Sequence, residues 1–181
     1  MKRRVRDRTT IKYFAVFLLA YSSTAFAEAY VDASQPFIEI KDVNQQAEAW
    51  AVCAAAYDIM ATIQEADEPA KAKQLDDLGN GAQLAVGMTL VIDDLEPDIS
   101  LERFKALWEN SQAAMNERPQ AQLAAIIADA AKLGTERKAE FGRKINATVV
   151  TCINNLAGQR MYIDTWQELV KSGLLQLPQV E

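Results

Sequence analysis

Apolar residues recur along most of this chain at three- and four-residue spacing, the period of an α-helix with one side turned to a core. In 42–64 the repeating positions are Trp50, Cys53, Tyr57 and Met60, with Ala47, Ala51, Ala54, Ala55 and Ala61 between them. So many alanines favour helix and let a neighbour approach closely. Asp42 followed by Gln45 has the form of a capping box, which predicts the helix start, and the polar run Glu65 to Glu68 predicts its end. Pro69 then suits the first position of a second helix, where its missing N–H costs nothing. Leu75, Leu78, Ala82, Ala85, Thr89 and Ile92 form the stripe of that helix, interrupted by Gly79, Gly81 and Gly87. The Leu-Gly-Asn-Gly stretch either divides the helix into 70–78 and 81–95 or lets another helix pack tightly. The pattern leaves both open.

Asp93 to Ser100 reads as a loop broken by Pro97. Ser100 suits an N-cap and Glu102 the dipole of a third helix, with Leu101, Phe104, Leu107, Trp108, Ser111 and Met115 on its apolar side. Arg118-Pro119 predicts a stop or kink, followed by a further helical segment, Gln120 to Leu133, carrying Leu123, Ile126, Ile127 and Leu133. Thr135 and Glu136 are expected to open a fourth main helix bearing Phe141, Ile145, Val149, Cys152 and Leu156 and ending at Gly158. Asp164 is expected to cap a last short helix, Thr165 to Lys171, with Trp166, Leu169 and Val170, stopped by Gly173. No stretch alternates like a strand, and no repeat or long linker appears. The expected fold class is all-α: a disulfide-stapled bundle of four main helices plus one or two short helices.

Two segments break the periodic pattern at the N-terminus. Residues 1–27 have a basic start (Lys2, Arg3, Arg4, Arg6, Arg8, Lys12), a short apolar stretch from Phe14 to Tyr21, and Ala25-Phe26-Ala27 at the end. These are the three parts of a secretory signal peptide, with cleavage expected after Ala27. The apolar stretch is far shorter than the roughly 20 residues that span a bilayer. Residues 28–41 read as an extended arm, since Pro36 blocks a helix there, with Phe37, Ile38 and Ile40 as anchors. A single domain is expected over 42–175 and a frayed tail over 176–181.

Export changes the charge and the meaning of the cysteines. The leader takes six basic residues and Asp7 from a chain of 19 basic and 25 acidic residues, leaving 13 and 24 and a net charge of −11. Such a chain repels nucleic acid and anionic lipid. Nucleic-acid binding and stable membrane insertion of the mature chain are therefore not expected. The chain has two cysteines, Cys53 and Cys152. In an exported protein they are expected to pair, joining the first and fourth helices side by side.

Candidate chemistry is sparse. The sequence contains no histidine, which removes Ser-His-Asp and Cys-His catalytic arrangements and every His-ligated haem, zinc or iron site. Cys53 and Cys152 form no CxxC pair. The Asp93, Asp94, Glu96, Asp98 cluster lacks EF-hand spacing and reads as a solvated loop. Asp58, Glu136 and Glu140 read as exposed helix-face charges. Gly79-Asn80-Gly81 fits neither GxxxxGK[ST] nor GxGxxG, and the sequon at Asn146 to Thr148 falls inside a helix. No catalytic residue, cofactor or metal is expected.

What remains is aromatic. Trp50, Tyr57 and Trp108 at helical spacing read as core. Met161, Tyr162, Ile163 and Trp166 follow what reads as a complete bundle; they either pack across its end or form the candidate partner surface. The expectation is an exported, periplasmic or secreted helical protein that is not an enzyme. It would act on a protein partner in the cell envelope, as an inhibitor, immunity factor or envelope-complex subunit. The alternative is a module holding a small apolar ligand between helices.

Overall fold

A computed structural model describes residues 35–96, 98–133 and 137–175. The expected signal peptide and the 176–181 tail lie outside the described residues. Among the described residues there are five α-helices and one short 3-10 turn: the turn at Phe37–Glu39, then α1 (Val43–Gln64), α2 (Pro69–Asp93), α3 (Leu101–Leu133), α4 (Lys138–Asn154) and α5 (Leu156–Lys171). The bundle is all-α and joined by the Cys53–Cys152 disulfide, as its sequence pattern predicts.

α1 lies at the centre. Its cap forms as expected, with the Asp42 side chain accepting from the Gln45 N–H at 3.0 Å. Every residue from Ala49 to Tyr57 is buried, so the middle of this helix is enclosed on all sides and not only along one stripe. α2 folds back along it as an uninterrupted helix that begins on Pro69. This resolves the glycine question in favour of close packing. A Cβ at Gly81 would lie 2.2 Å from Gln159 Nε2 on α5, and one at Gly87 would lie 2.4 Å from Met115 Sδ on α3. At Gly79 the nearest atoms, Tyr57 Cβ at 3.5 Å and the Ala54 carbonyl at 3.7 Å, belong to α1. Three glycines of α2 thus face three different helices.

The boundaries in the second half differ from the expected ones. α3 runs through Pro119 without stopping. Phe104 and Ser111 before the proline, and Gln122 and Ile126 after it, are all buried. Packing on both sides of Pro119 therefore offsets the roughly 3 kcal/mol that an interior proline costs. α4 ends at Asn154, not at Gly158, and α5 begins at Leu156, so Asp164 lies inside α5 and caps nothing. The expected caps Thr135 and Glu136 lie outside the described residues. At the break, Asn155 Oδ1 accepts the Phe37 N–H at 2.7 Å, and its Nδ2 donates to the Thr151 carbonyl at 2.9 Å. Gly158 is buried beneath Trp50 and Ile38, where a Cβ would lie 2.9 Å from Ile38 Cγ2. That glycine marks a close approach, not a helix end. Gly173, at φ +78°, does end α5, as a residue free to take a positive φ can.

The arm is not wholly extended. It turns at Phe37–Glu39 and anchors through Phe37, which is fully buried with its ring edge-on to Trp50 at 4.8 Å. Ile38 stays half exposed. Ile92 and Ile127, expected on inner stripes, are also exposed, while Val86, Met88 and Val91 take buried places on α2. The face expected of α4 is correct: Ile145, Val149 and Cys152 are buried.

Cys53 and Cys152 are both buried and their Cα atoms lie 5.6 Å apart across α1 and α4. They are 99 residues apart in sequence, and closing a loop of about 100 residues stabilises a fold by roughly 4–5 kcal/mol in the chain-entropy model. Replacing both cysteines by alanine should lower the unfolding free energy by about that amount, read from urea denaturation followed by circular dichroism. An unchanged midpoint would mean the bridge contributes nothing.

The glycines give a paired test. Gly79→Ala meets only ordinary contacts and gains helix propensity, so it should stabilise by up to about 1 kcal/mol. Gly81→Ala drives the Gln159 amide off the Leu78 carbonyl, which it reaches at 3.0 Å, and should destabilise by about 1–2 kcal/mol. Thermal melts of the two variants with shifts of the same sign and size would contradict this packing.

Candidate functional site

The best-formed concavity is a half-open cleft of about 380 Å³ where α1, α2 and α3 meet. Its origin is local. Ala54 and Ala55 of α1 and Gly79 of α2 line it. Residues this small bring two backbones together but leave nothing to fill the space above the seam. α3 crosses over it and contributes Pro119, Gln120, Leu123 and Asn116 to the wall. The remaining wall is polar: Asp58 from α1, with Asp76, Asn80 and Gln83 from α2.

The electrostatics of this lining are one-sided. Two carboxylates and four carboxamides face a hollow whose lining includes no lysine or arginine. The nearby cations are engaged elsewhere. Lys73 binds Asp77 at 2.8 Å. That hydrogen bond and the Asp77 charge raise the Lys73 pKa, and Asp76 adds to the effect. Arg118, next to Pro119 in sequence, points instead to Asn44 Oδ1 at 2.9 Å and Glu48 at 3.7 Å. Glu48 also accepts from the buried Gln122 amide, so α1 and α3 are tied by a polar network. One rim of the cleft is fixed by Gln83 Nε2 donating to Asn116 Oδ1 at 3.0 Å, while Asn116 donates to the Gln112 carbonyl at 3.1 Å.

Beneath the seam the core is packed with aromatics. Tyr57 is fully buried, and its hydroxyl is among the buried polar atoms with no hydrogen-bond partner. Burial pushes its pKa up to about 12. Tyr162 is also buried; its hydroxyl accepts from Gln46 Nε2 at 3.1 Å and interacts with Thr89. Burial raises its pKa, and its neighbours Thr89 and Gln46 partly offset the rise.

The four residues expected to form a partner surface are not brought together. Met161 is exposed and Ile163 partly so. Tyr162 faces the core, edge-on to Trp50 at 6.1 Å. Trp166 is half-buried and packs with Leu169 against Val91, Phe104 and Leu175 at one end of the bundle. The cysteines stand at the α1–α4 contact and are not among the cleft-lining residues. Asp58, read from sequence as an ordinary exposed charge, lines the cleft. Asp76, Asn80, Gln83, Asn116 and Gln120 carried no motif. The available signal was indirect: an alanine pair on one helix and a glycine on the next, flanked by acids and amides. Among the described residues no group of three or more His, Cys, Asp or Glu is placed to hold a metal ion, and no helix is long and apolar enough to cross a membrane.

Comparison with protein-family models, with curated proteins and with solved structures finds no match.

The buried tyrosines set an alkaline limit. In the unfolded chain a tyrosine ionises near pH 10, whereas folded Tyr57 does so only at about 12. Between these values the unfolded state loses a proton that the folded state keeps, so stability falls as pH rises from 10 to 12. Tyr57→Phe should flatten part of that fall. At pH 7 it should leave stability unchanged or higher by about 1 kcal/mol, because it removes an unpaired buried hydroxyl. Urea denaturation at pH 7 and pH 11 checks both, and a loss of several kcal/mol at pH 7 would show a missed partner for the hydroxyl.

Proposed function

We propose that this is an exported binding protein of the cell envelope that acts by contact with a protein partner, and that the α1–α2–α3 cleft is its contact site. Inhibitors, immunity factors and envelope-complex subunits are the classes of protein that work this way. The observation that carries the reading is the cleft itself: a concave, half-polar hollow held between helices that are locked by small-residue packing. Sites held on rigid elements bind at a lower ordering cost than sites on loops. Export is supported by the three-part leader over 1–27 and by the disulfide, which persists in oxidising compartments.

A non-enzymatic role is supported by the composition. With no histidine in the chain, the commonest general acid–base group is missing. The apolar-ligand alternative is less favoured, because polar side chains provide six of the eleven cleft-lining residues.

The test is affinity capture from envelope extract, with bait beginning at Glu28, the residue that N-terminal sequencing of the exported protein should find. Wild-type bait should retain a partner that the Asp58→Lys, Asp76→Lys double variant loses. Equal recovery by both baits would remove the cleft from the contact, and recovery of nothing by wild type would contradict the protein-contact reading.

A further inference from the structure

Resting on the cleft as the contact site, we propose that it receives an alkyl cation: the lysine or arginine side chain of the partner protein. Such side chains have an apolar stem and a charged head, and the cleft offers a place for each. Ala54, Ala55, Pro119 and Leu123 provide an apolar bed, and Asp58 and Asp76, on two different helices, provide carboxylates beside it. A guanidinium is especially suited to carboxylate and amide acceptors because its donors are fixed in one plane.

Competing chemistries fit less well. An anion would meet two carboxylates and no lining cation, within a mature chain of net charge −11. A sugar would find no aromatic ring to stack on, since none lines the cleft. The protein's own cations do not fill the place: Arg118 is held by Glu48 and Asn44 on α1, and Lys73 by Asp77. A free polyamine shares the alkyl-cation chemistry and is the other source to be distinguished. The protein side chain is favoured because the cleft is open on one side, leaving room for the backbone that would carry it.

The experiment titrates the mature, disulfide-bonded protein, labelled with nitrogen-15, with three probes. They are acetyl-Gly-Gly-Arg-Gly-Gly-amide, the same peptide with neutral citrulline in place of arginine, and spermidine. The arginine peptide should move the backbone resonances of Ala55, Gly79 and Asn80, and the citrulline peptide should leave them in place. Asp58→Asn with Asp76→Asn should weaken binding by about tenfold, the scale of partly screened ion pairs, while Asp94→Asn at an exposed position away from the cleft should not. If the double variant fails to fold, the wild-type shift map and the citrulline comparison decide alone.

Equal response to arginine and citrulline, or no cleft shifts with any probe, overturns the proposal. Tighter binding of spermidine than of the arginine peptide overturns the protein side chain as the source. Partner capture that depends on Asp58 and Asp76, together with silence from both cations, would keep the contact site and sink the cationic ligand.

Discussion

The close approach of α1 and α2 is the constraint on which the other contacts depend. It is set by small residues: Ala54 and Ala55 on one helix and Gly79 on the other, with the Ala54 carbonyl 3.7 Å from where a glycine Cβ would stand. Such a seam contributes little apolar area per residue. Its strength comes from the dense dispersion contacts that close backbones allow, and from the aromatics that close over it from other directions. Trp50 and Tyr57 are fully buried beside the seam. Around this pair the remaining helices insert side chains where α2 has none, Met115 of α3 at Gly87 and Gln159 of α5 at Gly81. α4 is held differently. It meets α1 more than it meets α3 or α5, and its covalent link to α1 is the disulfide.

The same constraint makes the cleft. A seam of small residues cannot fill the space above itself, and the helix crossing there carries Pro119 at the crossing. Structure and candidate function thus share one cause. A side chain larger than alanine at Ala54, Ala55 or Gly79 would both hold the helices apart and fill the site. The charge of the lining is a separate matter, set by Asp58 and Asp76, which the fold does not need: both are exposed and neither lies in the core.

Much of the architecture was legible from periodicity and caps, because those signals are local. Asp42 and Pro69 act where they stand in sequence, and the Cys53–Cys152 pairing was open to prediction because the chain has two cysteines and an N-terminus that reads as an export leader. The errors are of another kind. The pattern reads Gly158 as a helix end and Pro119 as a stop or kink, since glycine and proline usually punctuate helices. Both instead serve tertiary packing: Gly158 admits Ile38 and Trp50, and Pro119 sits within a helix buried on both sides of it. No local rule reveals which helix will lie against a glycine. Tyr162 turns inward for the same reason: a helix running on from Leu156 points it toward Gln46 and Trp50. The cleft, drawn from three helices, leaves no motif at all; only the facing small residues hint at it.

If α1 and α2 are the foundation and α4 is hooked onto them through the disulfide, local stability should divide along that line. Amide hydrogen exchange, read by mass spectrometry on the oxidised and the reduced protein under native conditions, measures this directly. The account predicts that reduction exposes Lys138–Asn154 to faster exchange first, while Ala49–Tyr57 of α1 and the facing part of α2 keep their protection. Loss of protection spread evenly over all five helices, or loss centred on α1 and α2 with α4 unchanged, would contradict it.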